Sequence, residues 1–204
     1  MALAEAFCDV DAPLFPQERA YIERASARRR AEFTTVRHLA GRALAELGLE
    51  RPVMVPGPMG EPTWPDDVVG SLTHCLGYRA AAVARASEVT ALGIDAEPNR
   101  PLARGVLERI AAPAERENVC ALAEALPGVA GDRLLFSIKE AVYKEWFPRA
   151  RKPLRFADAE VGIRPDGAFT ARLATGPDGC AELTGRWAAD GDLLASAVFV
   201  ARGH

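Results

Sequence analysis

Two carboxylates spaced two residues apart are the first candidates for chemistry in this sequence. Asp95 and Glu97 lie in the segment 92–97, whose composition is typical of a β-strand. Side chains alternate between the two faces of a strand, so both carboxylates are expected on one face. Such a pair suits a hard cation like Mg²⁺, which takes oxygen ligands and keeps waters and substrate phosphates in its shell. The alternative is an acidic strand face exposed to water.

A second group of charged residues lies in the segment 136–144, which has the apolar pattern of an amphipathic helix. Glu140 and Lys144 are four residues apart and are therefore neighbours on one face. Lys139 lies about 100° away around the axis and can border the same site. A carboxylate flanked by ammonium groups can complete a metal shell or accept a proton while the lysines meet phosphate oxygens. The alternative is a surface helix with one ordinary ion pair.

Further cationic groups lie near the start of the chain. His74 ends the strand-like segment 70–74, where the imidazole and the N–H groups of the next turn could face a phosphate. Arg28, Arg29, Arg30 and Arg37 lie in one helical segment. Arg30 and Arg37 are seven residues apart and therefore share a face of the helix. A turn histidine and a solvated basic face are the alternatives.

The elements that must position these residues follow from periodicity and turn signals. The predicted helices are 16–47 with a break near Ser26, 101–111, 113–126 and 132–147, the last ended by Pro148. A loop is predicted at 56–62, followed by strands 68–73, 79–85 and 91–97 as an antiparallel meander. The predicted later strands are 159–164, 168–174, 181–188 and 193–201, with hairpin turns at 166–167 and 190–192.

Helix followed by meander occurs twice, which predicts an α+β protein of two similar lobes. Each lobe is expected to be an antiparallel sheet packed with a long helix, with the active site in the cleft between the lobes. The predicted division is residues 1–98 and 99–204.

Composition excludes several classes of protein. The 204 residues are 49% apolar and carry a net charge of -3, which excludes disorder and a global positive field for nucleic acid. Apolar runs stop far short of the ~18 residues of a membrane span, and the acidic start lacks the features of a signal peptide. The predicted location is therefore the cytoplasm. The four cysteines show no CxxC spacing and are interpreted as free thiols.

Taken together and in order, the motifs resemble the 4'-phosphopantetheinyl transferases of the larger, pseudo-dimeric type, which modify carrier proteins of polyketide, fatty-acid and non-ribosomal peptide synthases. The resemblance runs from about Ala25 to Pro148. Within the family, the sequence is similar to the bacterial subgroup that includes siderophore-associated and actinobacterial enzymes. Its signature segments are 93–97 and 136–144, supported by the arginine-rich helix and the segments 60–65 and 69–78. Glu61 differs from the lysine found in other branches.

The resemblance implies transfer of phosphopantetheine from coenzyme A to a serine hydroxyl of an apo acyl or peptidyl carrier protein, releasing adenosine 3',5'-bisphosphate. It implies that Asp95, Glu97 and Glu140 hold Mg²⁺, with Mn²⁺ as the alternative ion. Glu140 would be the general base, Lys144 would neutralise the pyrophosphate, and Lys139 could assist. The residues implied for the 3'-phosphate and its neighbours are Arg29, Arg37, Ser71, Thr73 and His74, and those implied for adenine are Pro56, Gly57, Pro58 and Met59.

Two other functions remain open from the residues alone. A metal-dependent nuclease also uses acids and a lysine, although the acidic net charge and the Lys-Glu order argue against it. A non-catalytic protein that binds coenzyme A or a carrier would keep the basic residues but is expected to lose an acid, and all three acids are present. The expected partners are coenzyme A and carrier proteins, without nucleic acid or membrane, and the chain is expected to be a monomer.

Overall fold

The computed structural model describes residues 1–176 and 179–202. The strands are β1 (Ala2–Ala6), β2 (Val68–Cys75), β3 (Tyr78–Arg85), β4 (Val89–Pro98), β5 (Ala159–Ile163), β6 (Ala168–Gly176), β7 (Gly179–Asp190) and β8 (Leu193–Ala201). The helices are α1 (Pro16–Ile22), α2 (Ala27–Glu46), α3 (Leu107–Ile110), α4 (Pro113–Ala125) and α5 (Gly131–Ala150), with a 3₁₀ turn at Phe156–Asp158. Among the described helices, none combines the length and the apolar composition that crossing a membrane needs.

The chain forms two compact units, and the division lies within β4. Unit 1 comprises Met1–Leu92 with the chain end from Ala201, and unit 2 comprises Gly93–Val200. Both units contain an antiparallel sheet and helices, which makes the protein α+β as predicted.

Unit 1 is built on a sheet of order β1-β3-β2, against which α2 packs. Antiparallel pairing places Ala2 opposite Val83 and Val68 opposite Arg85. The apolar stripe of α2 supplies four of the ten buried residues of this core, because its apolar residues recur at helical spacing. The buried residues of this core are Ala2, Ala4, Leu39, Ala40, Ala43, Leu44, Met54, Val68, Ala81 and Val83.

The predicted three-stranded meander in unit 1 is wrong in two respects. The sequence pattern missed β1, which is short and rich in alanine, a residue that strands do not favour. β1 pairs with the side of β3 that β2 leaves open, so both sides of β3 are used. β4 therefore joins the five-stranded sheet instead, where it pairs with β8.

The predicted break in the first helix is confirmed at Ser26. Its hydroxyl accepts a hydrogen bond from the backbone N–H of Arg29 at 3.2 Å and so caps the first turn of α2. A capping serine satisfies a helical N–H that has no partner within its own helix. The 20-residue α2 therefore starts as a separate helix, with four residues between it and the end of α1.

Unit 2 carries a five-stranded sheet of order β4-β8-β7-β6-β5. The strands from β5 to β8 follow one another through hairpins, and the predicted turns at 166–167 and 190–192 are confirmed. α4 and α5 pack against this sheet and against each other. The buried residues of this core are Val119, Leu122, Leu134, Leu135, Ile138, Ala141, Val142, Trp146, Ala159, Val161, Ile163, Phe169, Ala171, Leu173, Leu183, Trp187, Leu194 and Val198.

Two helix predictions in unit 2 need correction. The predicted helix 101–111 is reduced to α3, because the N–H of Leu102 donates to the Asp132 carboxylate at 2.8 Å and Gly105 adopts φ +84°. Pro148 does not end α5, which continues to Ala150. A proline this close to the helix end disturbs few hydrogen bonds, and the helix ends instead at Arg151, whose φ of 51° is left-handed.

The backbones of β4 and α5 approach each other closely at Gly93. A Cβ atom built on Gly93 would lie 1.9 Å from the carbonyl oxygen of Ala141 and 2.7 Å from the backbone nitrogen of Glu145. Only a residue without a side chain permits this approach. Because Gly93 lies just before Asp95 and Ala141 just after Glu140, it brings the strand that carries one set of acids against the helix that carries the other.

We predict that Gly93→Ala lowers the free energy of unfolding by at least about 2 kcal/mol, because the added methyl group forces strand and helix apart. The control is Gly128→Ala, where a Cβ atom would meet nothing within 4 Å. Urea unfolding followed by circular dichroism measures both changes. Equal stability of the two variants would show that the approach at Gly93 is not under steric constraint.

Candidate active site

Two of the predicted site residues, Asp95 and Lys144, lie in direct contact. The Lys144 ammonium donates to Asp95 Oδ1 at 2.7 Å and to the carbonyl oxygen of Ile94 at 3.1 Å. The Asp95 side chain is 8% exposed, so this ion pair lies largely away from water. Lys144 therefore joins α5 to β4 within unit 2. It also partly neutralises Asp95, which is the more buried of the two β4 acids.

Glu97 faces a cation that the sequence analysis did not single out. Arg133 Nη1 donates to Glu97 Oε2 at 2.9 Å, and both side chains are 19% exposed. Burial raises the pKa of Glu97, the charge of Asp95 raises it further, and the charge of Arg133 lowers it. Arg133 precedes Glu140 by seven residues, or about two helical turns, and this spacing was the available signal for it.

Glu140 completes a group of three carboxylates that interact electrostatically. Burial raises the pKa of Glu140, and the negative charge of Asp95 and then that of Glu97 raise it further, while Lys144 lowers it. A carboxyl group with a raised pKa is a better proton acceptor than a solvated one, which suits general base chemistry.

The donor set fits a hard divalent cation, because three carboxylates that repel one another are stabilised by a positive ion among them. Within residues 1–176 and 179–202, no three His, Cys, Asp or Glu side chains form a ready-made metal-binding arrangement. The two β4 carboxylates are instead each hydrogen-bonded to a cationic side chain of α5. A metal ion would therefore have to compete with Lys144 and Arg133.

Lys139 lines a cavity together with Glu140, but its ammonium is bound to groups other than these three acids. Its ammonium lies at 2.7 Å from Glu115 Oε1 and donates to the carbonyl oxygens of Phe156 and Ala159, both at 2.8 Å. These three partners account for the three donors of an ammonium group. Burial lowers the pKa of Lys139, and Glu115 opposes that shift. Lys139 thus connects α5 to the chain before β5.

Glu115 is a buried residue that the sequence analysis missed. Its carboxylate also accepts from the N–H groups of Ala112 at 2.7 Å and Val161 at 2.8 Å. The first of these bonds caps α4, and the signal for it was the glutamate two residues after Pro113. With every oxygen partnered, the pair of Glu115 and Lys139 is a structural element of unit 2.

A cavity of about 150 Å³ opens beside Glu140. It is bounded by α5 on one side and by the segment before β5 on the other, so that the contacts of Lys139 with Phe156 and Ala159 fix its walls. The lining residues are Lys139, Glu140, Tyr143, Leu154, Arg155, Phe156 and Ala159.

In unit 1 the structure brings together Arg29 and His74, two of the residues expected at a phosphate. Arg29 Nη1 lies 2.6 Å from His74 Nε2. Both surround Glu32, which is 7% exposed and lies 3.7 Å from His74 Nδ1 and 2.8 Å from Arg28 Nε. Burial opposes ionisation of Glu32, but the hydrogen bond from Arg28 and the interaction with His74 leave its pKa lowered overall. Glu32 was missed, although its four-residue spacing from Arg28 was a signal.

Arg37 lies apart from this cluster. It is buried, its Nε donates to the carbonyl oxygen of Met54 at 3.1 Å, and its guanidinium stacks 3.9 Å from the centre of the Phe33 ring. Burial lowers its pKa to about 10. The alternative that Arg30 and Arg37 share a solvated helix face is therefore wrong for Arg37.

The other predicted ligand residues of unit 1 lie on β2 and in the loop before it. Ser71 and Thr73 are buried on one face of β2, and His74 points to the other face. The loop 56–59 is held in shape by Glu61, whose carboxylate accepts from the N–H of Met59 at 3.0 Å and whose carbonyl accepts from the N–H of Gly57 at 2.8 Å. A Cβ atom at Gly57 would lie 2.3 Å from Glu61 Oε1, so a side chain at this position would displace the Glu61 carboxylate.

Cys8, Cys75 and Cys120 are thiols outside any disulfide, as predicted. The side chain of Cys180 lies outside the described residues.

Comparison with known proteins connects this geometry to one family. The profile described as the 4'-phosphopantetheinyl transferase N-terminal domain matches residues 17–84, and that of the 4'-phosphopantetheinyl transferase superfamily matches residues 91–197. The second match contains the three carboxylates together with Lys144 and Arg133.

Relatives match over most of the chain. The 4'-phosphopantetheinyl transferase Svp of Streptomyces mobaraensis is 49% identical, over 98% of this chain and 84% of its own length. The 4'-phosphopantetheinyl transferase PptT of Mycobacterium tuberculosis is 42% identical, over 97% of this chain and 91% of its own length. Enterobactin synthase component D of Escherichia coli is 35% identical, over 68% of this chain and 64% of its own length. The chain belongs to the 4'-phosphopantetheinyl transferase superfamily and is a transferase of that kind.

Proposed function

We propose that this chain transfers the 4'-phosphopantetheine group from coenzyme A to a serine of an apo acyl or peptidyl carrier protein, with Mg²⁺ as the metal. The observation that carries the proposal is the group formed by Asp95, Glu97, Glu140 and Lys144 in unit 2, within a chain of this family. The carboxylates supply ligands for a cation, and the lysine supplies positive charge for a phosphate.

The reaction joins the serine oxygen to the phosphorus that carries pantetheine and breaks the bond from that phosphorus to the oxygen of the adenosine 5'-phosphate. Glu140 accepts the serine proton, either directly or through a water, and adenosine 3',5'-bisphosphate leaves. Asp95, Glu97 and Glu140 would hold Mg²⁺, which would supply charge neutralisation at the pyrophosphate. Lys144 adds a second positive charge there, and Lys139 acts through the structure of unit 2.

The nucleotide end of coenzyme A is assigned to unit 1. Arg29 and His74, held together around Glu32, are proposed to meet the 3'-phosphate. Ser71 and Thr73 lie on the opposite face of β2 from His74, so their proposed part in nucleotide binding does not include this contact. The loop of Pro56, Gly57, Pro58 and Met59 is proposed to pack against adenine. Arg37 contributes through its buried contact with Met54, which lies two residues before the start of that loop.

The cavity beside Glu140 is proposed to receive part of the pantetheine arm, since Tyr143, Leu154 and Phe156 give it an apolar lining. The names of the relatives suggest the carriers to try first. Enterobactin synthase component D is named for a siderophore synthase, so a peptidyl carrier and an acyl carrier are both suitable substrates. We expect the enzyme to work as a cytoplasmic monomer.

The test is incubation of the protein with an apo carrier protein, coenzyme A and Mg²⁺, followed by mass spectrometry of the carrier. The expected result is the mass increase of one phosphopantetheine group on the carrier serine, absent when that serine is replaced by alanine. Binding of coenzyme A without any mass increase on either carrier would instead support a non-catalytic binding protein.

We predict that Asp95→Asn and Glu97→Gln each lower the transfer rate by at least about 100-fold, because a metal shell loses a charged ligand. The exposed Glu124→Gln on α4 makes the same change of charge and is expected to keep the wild-type rate. Single-turnover assays at saturating coenzyme A measure all three variants. Rates within a few-fold of wild type for both β4 variants would refute the metal assignment.

The roles on α5 should separate by substitution. Glu140→Gln keeps the size of the side chain but removes its basicity, so we expect turnover to fall by roughly 100-fold or more with little change in the dissociation constant for coenzyme A. Lys144→Ala should weaken binding as well as rate, because an ammonium on the pyrophosphate acts in the ground and transition states. Calorimetry and single-turnover rates provide the two readouts. A wild-type rate for Glu140→Gln would leave Glu140 without a role as base.

The raised pKa of Glu140 has a consequence for stability. The folded chain holds the proton of Glu140 more tightly than the unfolded chain does. The ionised carboxylate therefore lowers the free energy of unfolding, and this loss develops as pH rises from the usual pKa of 4.5 through the raised pKa. In EDTA at pH 7, Glu140→Gln should therefore raise the midpoint of thermal unfolding by a few degrees, and the gain should vanish near pH 4. A gain that is the same at both pH values would show that charge is not its cause.

A further inference from the structure

Arg133 lies on the face of α5 that carries Glu140 and Lys144, and its guanidinium makes three contacts with the β4 side of unit 2. Nη1 donates to Glu97 Oε2 at 2.9 Å. Nε donates to the carbonyl oxygen of Arg100 at 3.2 Å, and Nη2 donates to that of Pro101 at 3.3 Å. Two of its three contacts are therefore to backbone and do not depend on the state of Glu97.

The charges of this face are nearly balanced. The three carboxylates of Asp95, Glu97 and Glu140 are accompanied by Lys144 on the first and Arg133 on the second. Lys144 also holds the carbonyl oxygen of Ile94, so each cation is anchored to backbone as well as to an acid. A divalent ion that takes Glu97 as a ligand would have to take it from Arg133.

We propose that Arg133 is the counter-ion of Glu97. In the metal-free protein, Arg133 holds the Glu97 carboxylate in position, and by competing for that carboxylate it lowers the affinity of the site for a divalent cation. The inference rests on the proposed function, which assigns Glu97 to the metal. Arg133 is a positioning residue in this scheme. Its two backbone contacts keep the guanidinium in place after Glu97 turns to the ion, so release costs one charge-assisted hydrogen bond.

The proposal predicts opposite effects on metal binding and on the metal-free fold. Without Arg133, Glu97 faces Asp95 and Glu140 with less compensation, so the metal-free protein is less stable. The same excess of negative charge attracts a divalent ion more strongly, and no competitor has to be displaced. A residue that merely orients Glu97 for the metal would have the reverse effect on affinity, because its loss would disorder a ligand.

The experiment compares wild type, Arg133→Gln, Arg133→Lys and the control Arg172→Gln. Arg172 pairs with Glu182 at 2.9 Å on β6 and β7, so its replacement also breaks an arginine–glutamate pair and removes one positive charge, several strands away from β4. Free Mn²⁺ is followed by its electron paramagnetic resonance signal during titration, at saturating coenzyme A for each variant. Thermal unfolding in EDTA and in Mn²⁺ provides the second readout.

Arg133→Gln is expected to bind Mn²⁺ roughly three- to tenfold more tightly than wild type, the scale of one lost ion pair at a partly exposed site. It should unfold at a lower temperature in EDTA and gain more from Mn²⁺ than wild type does. Arg133→Lys, which keeps the charge but not the fork of donors, should fall between the two. Arg172→Gln should bind Mn²⁺ like wild type.

The counter-ion proposal would be overturned if both Arg133 variants bind Mn²⁺ as tightly as wild type or more weakly, while Asp95→Asn abolishes the binding that wild type shows. The assignment of the metal site would then still hold. Wild type that binds no Mn²⁺, or that binds it no better than Asp95→Asn, would instead refute the metal site itself. The two failures are thus distinguishable.

Discussion

The close approach of β4 to α5 at Gly93 is the constraint on which the site in unit 2 depends. Acids on a strand and on a helix can act on one ion only if the two elements are held close together, and glycine permits an unusually close approach. Gly93 removes the side chain at the point of contact, and the carbonyl of Ala141 occupies its place. The lysine that joins Asp95 to α5 then acts as a second fastener about one turn further along the helix.

The same unit uses buried charge in two different ways. The pair of Glu115 and Lys139 has every donor and acceptor satisfied and connects α4, α5 and β5. Such a pair contributes a defined arrangement rather than large net stability, because desolvation offsets much of the attraction. Around Glu97 and Glu140, by contrast, raised pKa values record that the acids are not fully compensated. The pair of Glu115 and Lys139 is thus saturated, whereas the acids proposed for chemistry keep uncompensated negative charge.

Local periodicity was sufficient to predict which acids share a face, because strand alternation and helix spacing depend only on neighbours in sequence. It was also sufficient for most helices and for the hairpins of unit 2. It failed where a contact joins distant segments: Lys139 was placed correctly on α5, yet its partner Glu115 is 24 residues away. Arg133 was missed for the same reason, since its partner is 36 residues away. The strand β1 was missed because pairing with β3, and not its own alanine-rich sequence, makes it a strand.

The anchoring of α5 on three sides has a consequence for how this chain can change during evolution. Lys139 fixes one face of the helix, Glu140 and Lys144 use a second, and Ala141 is pressed against Gly93. Inserting or deleting one residue between Arg133 and Lys144 would rotate one part of the helix by about 100° relative to the other. The packing of the helix and the roles proposed for Glu140 and Lys144 would all be lost together. Length variation among functional descendants should therefore be confined to the loops that flank α5, whereas substitutions within it remain open.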